Sequence, residues 1–131
     1  MKKVLIIMCF IVIFLTACKN EEEFENNDNI KKTIIENMEK ILSESNGFSS
    51  IPSTYIENEY YSNIVEIGDS AVPVLIVLYN ELYFDSLEGY IAALAVQDIT
   101  GCDLNKKYNL KWAKASEFFE LWKDNNCSFN N

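Results

Sequence analysis

Residues 67–101 read IGDSAVPVLIVLYNELYFDSLEGYIAALAVQDITG, and their interpretation decides the fold class. The run Val74-Leu75-Ile76-Val77-Leu78 is apolar throughout, and alone it fits a buried strand as well as a buried helix. Its surroundings favour helix. Asp69 or Ser70 can accept a hydrogen bond from a free backbone N–H at a helix start, and Pro73 falls in the first turn, where its missing N–H is harmless. Leu82 and Tyr83 continue at helical spacing. Asp85 with Glu88 three residues on forms a capping-box pattern for the next helix. That helix presents Leu87, Ile91, Leu94, Ala95 and Ile99, and Gly101 ends it. An all-α domain is expected.

Outward from this core, the same periodicity recurs. Ile30, Ile34, Ile35, Met38, Ile41 and Leu42 fall on one face and predict a helix over 30–43, capped by Asp28 or Asn29. Gly47, several serines and Pro52 make 47–54 a loop. A helix over 56–67 is expected to bury Ile56, Tyr60, Ile64 and Ile67. The last helix carries Trp112, Ala115, Phe119 and Trp122 at steps of three and four. About five helices over 30–127 result. Trp112 and Trp122 are expected as core anchors.

Two segments echo each other: Glu66-Ile67-Gly68-Asp69 and Asp98-Ile99-Thr100-Gly101 place Gly68 and Gly101 33 residues apart, a period typical of helical repeats. The stretch Ile67-Gly68-Asp69-Ser70-Ala71-Val72-Pro73-Val74-Leu75 resembles the turn and first helix of a HEAT-like repeat. Ala92-Ala93-Leu94-Ala95 followed by Ile99-Thr100-Gly101 resembles its second helix and exit. Trp112 to Trp122 is similar to the tryptophan-rich closing helix of bacterial members of that group. The resemblance covers roughly residues 55–124 and one clear repeat. It implies a short right-handed stack, capped by the first and last helices. It also implies a scaffold for interactions. Some relatives of the group act on bilin chromophores, but no motif here carries that activity over.

The N-terminus reads as an export signal: Lys2 and Lys3, an apolar run over 4–15, then Leu15-Thr16-Ala17-Cys18. Twelve helical residues reach about 18 Å, short of a bilayer core of roughly 30 Å. Leu15-Thr16-Ala17-Cys18 resembles the lipobox of bacterial lipoproteins. That resemblance implies a diacylglycerol with palmitate-type chains on the Cys18 thiol and removal of the signal peptide 1–17. The protein would then sit lipid-anchored at the cell membrane, outside the cytoplasm. An ordinary secretory signal with an incidental Cys18 is the alternative. Residues 18–29 are acidic and almost without apolar content, a tether leading to the domain at 30–127.

The chain holds eleven lysines, no arginine and no histidine, at a formal charge of −9 that becomes −11 without Lys2 and Lys3. Phosphate backbones repel such a surface, so no nucleic-acid binding is expected. Without histidine, a Ser-His-Asp or Cys-His arrangement and a histidine metal site are excluded. No phosphate loop can be built from four glycines, and no cofactor or metal is expected. The carboxylate pairs Glu81/Asp85 and Glu117/Glu120 are expected on solvated helix faces, or at helix ends in the case of the first pair. Cys102 and Cys127 form an even pair in an exported domain, which invites a disulfide. To close it, the segment 102–110 has to run back along the domain, because a helix starting near Cys102 carries Cys127 out of reach. Tyr60, Tyr61 and Tyr83 are the candidate patch for a protein partner, since tyrosine buries area while keeping a polar tip. The expected function is a membrane-anchored protein–protein interaction module with a basic partner. An inhibitor or immunity-type lipoprotein and a carboxylate-dependent envelope hydrolase or lyase are the alternatives.

Overall fold

A computed structural model describes residues 25–45 and 52–127. The expected signal peptide, Cys18, the expected tether up to residue 24 and most of the expected 47–54 loop lie outside the described residues. Those described form helices, turns and loops without a strand, so the fold is all-α. Helix α1 occupies 25–44. It is followed by α2 (Ser53–Ile56), α3 (Glu59–Glu66), a 3₁₀ turn (Gly68–Ser70), α4 (Ala71–Leu78) and a π-helical turn (Tyr79–Tyr83). The chain closes with α5 (Leu87–Thr100), α6 (Leu104–Tyr108) and α7 (Ala115–Asp124).

Three differences from the sequence expectation have identifiable causes. Residues 25–29, expected in the tether, are helical although their side chains are exposed. The buried turns at Ile34, Met38 and Ile41 supply the nucleus, and extending a helix from a formed turn is far cheaper than starting one. Among the described residues seven α segments replace the five expected, because α2 buries Tyr55 and α6 forms in the connection after Cys102. The helix expected over 56–67 begins instead at Glu59, where Asn58 accepts the Tyr61 N–H at 2.9 Å. That cap resets the helical phase.

Helix α5 is the centre of the bundle and packs on α3, α4 and α7. Contacts on several sides explain why Ala92, Ala93 and Val96 are buried along with Ile91 and Ala95. Each large apolar side chain fully buried here contributes about 1.5–3 kcal/mol. Gly68, at φ 74°, occupies the left-handed region that glycine tolerates, and the helices on either side of it are bent by 92°. Asn37, buried on α1, donates to the Thr33 carbonyl at 2.8 Å and accepts from Asn63 Nδ2 at 3.2 Å, fixing the register of α1 against α3.

Cys102 and Cys127 are disulfide-bonded with Cα atoms 5.9 Å apart. The intervening chain does run back. Helix α6 and residues 109–114 lead from the end of α5 to the far corner of the bundle, where Ser116 meets Asp85. Helix α7 then returns alongside α5 to bring Cys127 home. No single helix among the described residues is long and apolar enough to cross a membrane.

Candidate partner-binding face

The three tyrosines expected to share a patch do not. Tyr61 is only 4% exposed, and its hydroxyl donates to Asp98 Oδ2 at 2.6 Å. Burial, then the hydrogen bond to Asp98 and its charge, push this phenol far above its ordinary pKa. Tyr61 is a core residue tying α3 to the last turn of α5, which corrects its assignment to a surface patch. The phase set by Asn58 is the reason: Tyr61 and Ile64, three apart, face inward, while Tyr60 is half-buried. The Lys40 ammonium sits 5.1 Å from the centroid of the Tyr60 ring. Tyr83 is half-buried at the end of the π turn, its phenol pKa raised by burial and by the charges of Glu88 and Glu39.

The neighbours of Tyr83 are the feature that sequence reading missed. Leu82 is 62% exposed and Phe84 58% exposed, and Val77 one turn earlier is 42% exposed. Phe84 has φ 34° and ψ −122°, a backbone conformation that costs a non-glycine residue of order 1–3 kcal/mol. The turn holds it there. The Phe84 N–H donates to the Tyr79 carbonyl at 2.7 Å, and its ring stacks on Tyr79 with centroids 5.6 Å apart. Tyr79 in turn meets Phe119 at 4.2 Å. At Gly89, on the first turn of α5, a Cβ would collide with the Phe84 carbonyl. A signal was present in the sequence: Leu82-Tyr83-Phe84 are three consecutive bulky residues, and one helix cannot turn all three inward.

Carboxylates lie close to this surface, and three of them have a structural task or a charge partner. Glu81 Oε2 pairs with Lys31 Nζ at 3.1 Å. Asp85, expected to cap α5, instead accepts from the Ser116 N–H at 2.8 Å and Ser116 Oγ at 2.9 Å, capping α7 from 31 residues away. Those bonds hold its carboxyl below the usual range despite the opposing effect of desolvation. Ser86 caps α5 by accepting the Gly89 N–H at 3.2 Å. Glu117 accepts the N–H groups of Ala113 and Lys114 at 2.8 and 3.3 Å. Glu81, Asp85, Glu117 and Glu120 are all exposed.

Trp122 is buried in α7 as expected. Trp112 precedes the helix and packs on Tyr90 and Phe118 at 5.0 and 4.9 Å.

A polar cleft of about 430 Å³ lies at the opposite end of α5, lined by Gln97, Asp98, Gly101, Asp103, Lys106 and Lys107. Its carboxylates are engaged: Asp98 by Tyr61, and Asp103 by the Lys106 N–H at 3.0 Å and ammonium at 3.2 Å. Charge is unevenly spread along the chain. Residues 41–105 hold ten acids and no lysine, whereas 106–131 hold five lysines and three acids. No protein-family model, curated protein or solved structure matches this chain.

Proposed function

We propose that this protein is a lipid-anchored, non-enzymatic interaction module of the bacterial cell envelope whose domain docks a basic polypeptide. The observation that carries the docking part is the run of ten acids without one lysine over 41–105, interrupted by exposed Leu82 and Phe84. Such a surface attracts cationic partners over a Debye length of about 8–10 Å and offers them apolar contact at the end. Anchoring rests on Lys2, Lys3, the apolar run and Leu15-Thr16-Ala17-Cys18. The bundle reads as a short HEAT-like stack. Gly68 and Gly101 support this: they lie 33 residues apart, both adopt positive φ, and each ends a helical stretch.

The test is membrane fractionation, in-cell crosslinking and mass spectrometry of the wild-type chain beside Cys18→Ala. The wild type is expected in membranes, shortened by its first 17 residues, carrying the diacylglyceryl mass and crosslinked to a protein of basic net charge. Cys18→Ala is expected to lose the lipid mass and the membrane fractionation. A Cys18→Ala chain that still fractionates with membranes at full length and unaltered mass overturns the anchor. A wild-type chain that yields no protein adduct overturns the docking.

A further inference from the structure

Pro73, Val77, Leu82 and Phe84 are exposed apolar side chains that follow one another along α4, its π turn and the residue after it, and they make up a strip along the chain. At its start, Pro73, Val74 and Val77 line a groove of about 210 Å³ with Asn27, Asp28 and Lys31 of α1. Lys31 of that groove pairs with Glu81, and the exposed Leu82 and Phe84 follow Glu81 in the chain. From residue 73 to residue 84 is about 17 Å at helical rise, the length of three helical turns. Acids flank both ends: Asp28 beside the groove, and Glu39, Glu81, Asp85 and Glu88 around the π turn.

At the far end of this strip Phe84 is held by a backbone hydrogen bond and a ring stack on Tyr79. The Phe84 backbone is strained, pinned to Tyr79 and wedged against Gly89, while more than half of its surface remains in water. A ring already stacked on one side and exposed on the other loses little freedom when a partner covers it, which is the property of an interface anchor.

We propose that the Val77–Leu82–Phe84 strip is the docking site for a basic amphipathic helix of about three turns, with an apolar stripe over Leu82 and Phe84 and lysine or arginine on its flanks. One flanking cation would take Glu81 from Lys31. This deepens the proposed interaction role and rests on that reading; it does not depend on the Cys18 anchor.

The experiment uses the full chain in phosphatidylcholine nanodiscs, with empty nanodiscs as the blank. The probe is a fluorescent peptide of about fourteen residues built from leucine and lysine at amphipathic helical spacing. It is expected to bind, and to bind at least about tenfold more weakly to the Leu82→Ser/Phe84→Ser double variant. Raising salt to about 0.5 M is expected to weaken it similarly. Tyr108→Ser, an exposed aromatic change elsewhere, is expected to leave it unchanged. A matching peptide with serine in place of leucine is expected not to bind. Both replaced side chains are more than half exposed, so the double variant is expected to stay folded, and its cooperative thermal unfolding, measured alongside, excludes misfolding as the cause of any loss. Equal affinity for the double variant, or for the serine peptide, overturns the proposal. So does a concentration-dependent dimer, seen by sedimentation, that the double variant abolishes, because the occupant is then a second copy of this chain. Failure of the anchor would appear in the mass of Cys18 and leave the peptide titration untouched.

Discussion

Asp85 shows how one side chain can be read correctly by type and wrongly by address. Its carboxylate caps a helix, but the helix is α7, and the partner is Ser116. Because those hydrogen bonds lower its pKa in the folded state, Asp85 contributes stability that is present above its unfolded value, near 3.9. That contribution is lost as pH falls through the depressed folded value. Asp85→Asn is therefore expected to lower the urea midpoint at pH 7, with the gap to wild type narrowing as pH falls below about 3.9. A gap that persists unchanged in acid would mean that the charge of Asp85 plays no part. Tyr60 and Tyr61 make the same point about address, since one core position was available and a single cap chose its occupant.

At the scale of elements, the junction of α4 and α5 departs furthest from regular helix. The periodicity of residues 71–83 made a helix legible, but a π turn adds one residue per hydrogen-bonded ring, and nothing in the spacing marks where that occurs. The junction depends on Gly89, whose missing Cβ leaves room for the Phe84 carbonyl. In a free helix Gly→Ala stabilises by about 1 kcal/mol. Here the clash is with backbone, and Gly89→Ala is expected to destabilise by about 1–3 kcal/mol in chemical denaturation. A stabilised variant would show that the turn does not rest on α5 in this way.

For the molecule as a whole, the disulfide joins the end of α5 to the end of α7 and encloses the returning segment. The bridged residues are 25 apart, and a loop of that size corresponds to about 3.5 kcal/mol of lost unfolded-state entropy. Cys102→Ala/Cys127→Ala is expected to lower stability by about that amount, read as a fall in unfolding temperature. Reduction of the wild type should reproduce it. The mostly buried α5 and its contacts with three other helices leave enough core for the double variant to fold at low temperature. If removing the bridge changes nothing, α6 and α7 are held by packing alone.

Local order was within reach of the sequence. The helical periods, the turn glycines, the charge and the leader-like pattern of residues 2–18 each depend on residues within a few positions of one another. Reading them yields an all-α chain with the right face on α1 and, on α5, Ile91 and Ala95 of a buried surface that extends well beyond the expected face. The tertiary structure decided whatever depends on distant residues meeting. It chose Tyr61 over Tyr60 for the core, brought Asp85 to Ser116, closed Cys102 on Cys127 and left Leu82 and Phe84 in water. The physical reason is that helix propensity and amphipathic period act over about one or two turns. Helix phase, by contrast, is fixed by single caps, and bundle packing is fixed by complementary faces far apart in the chain.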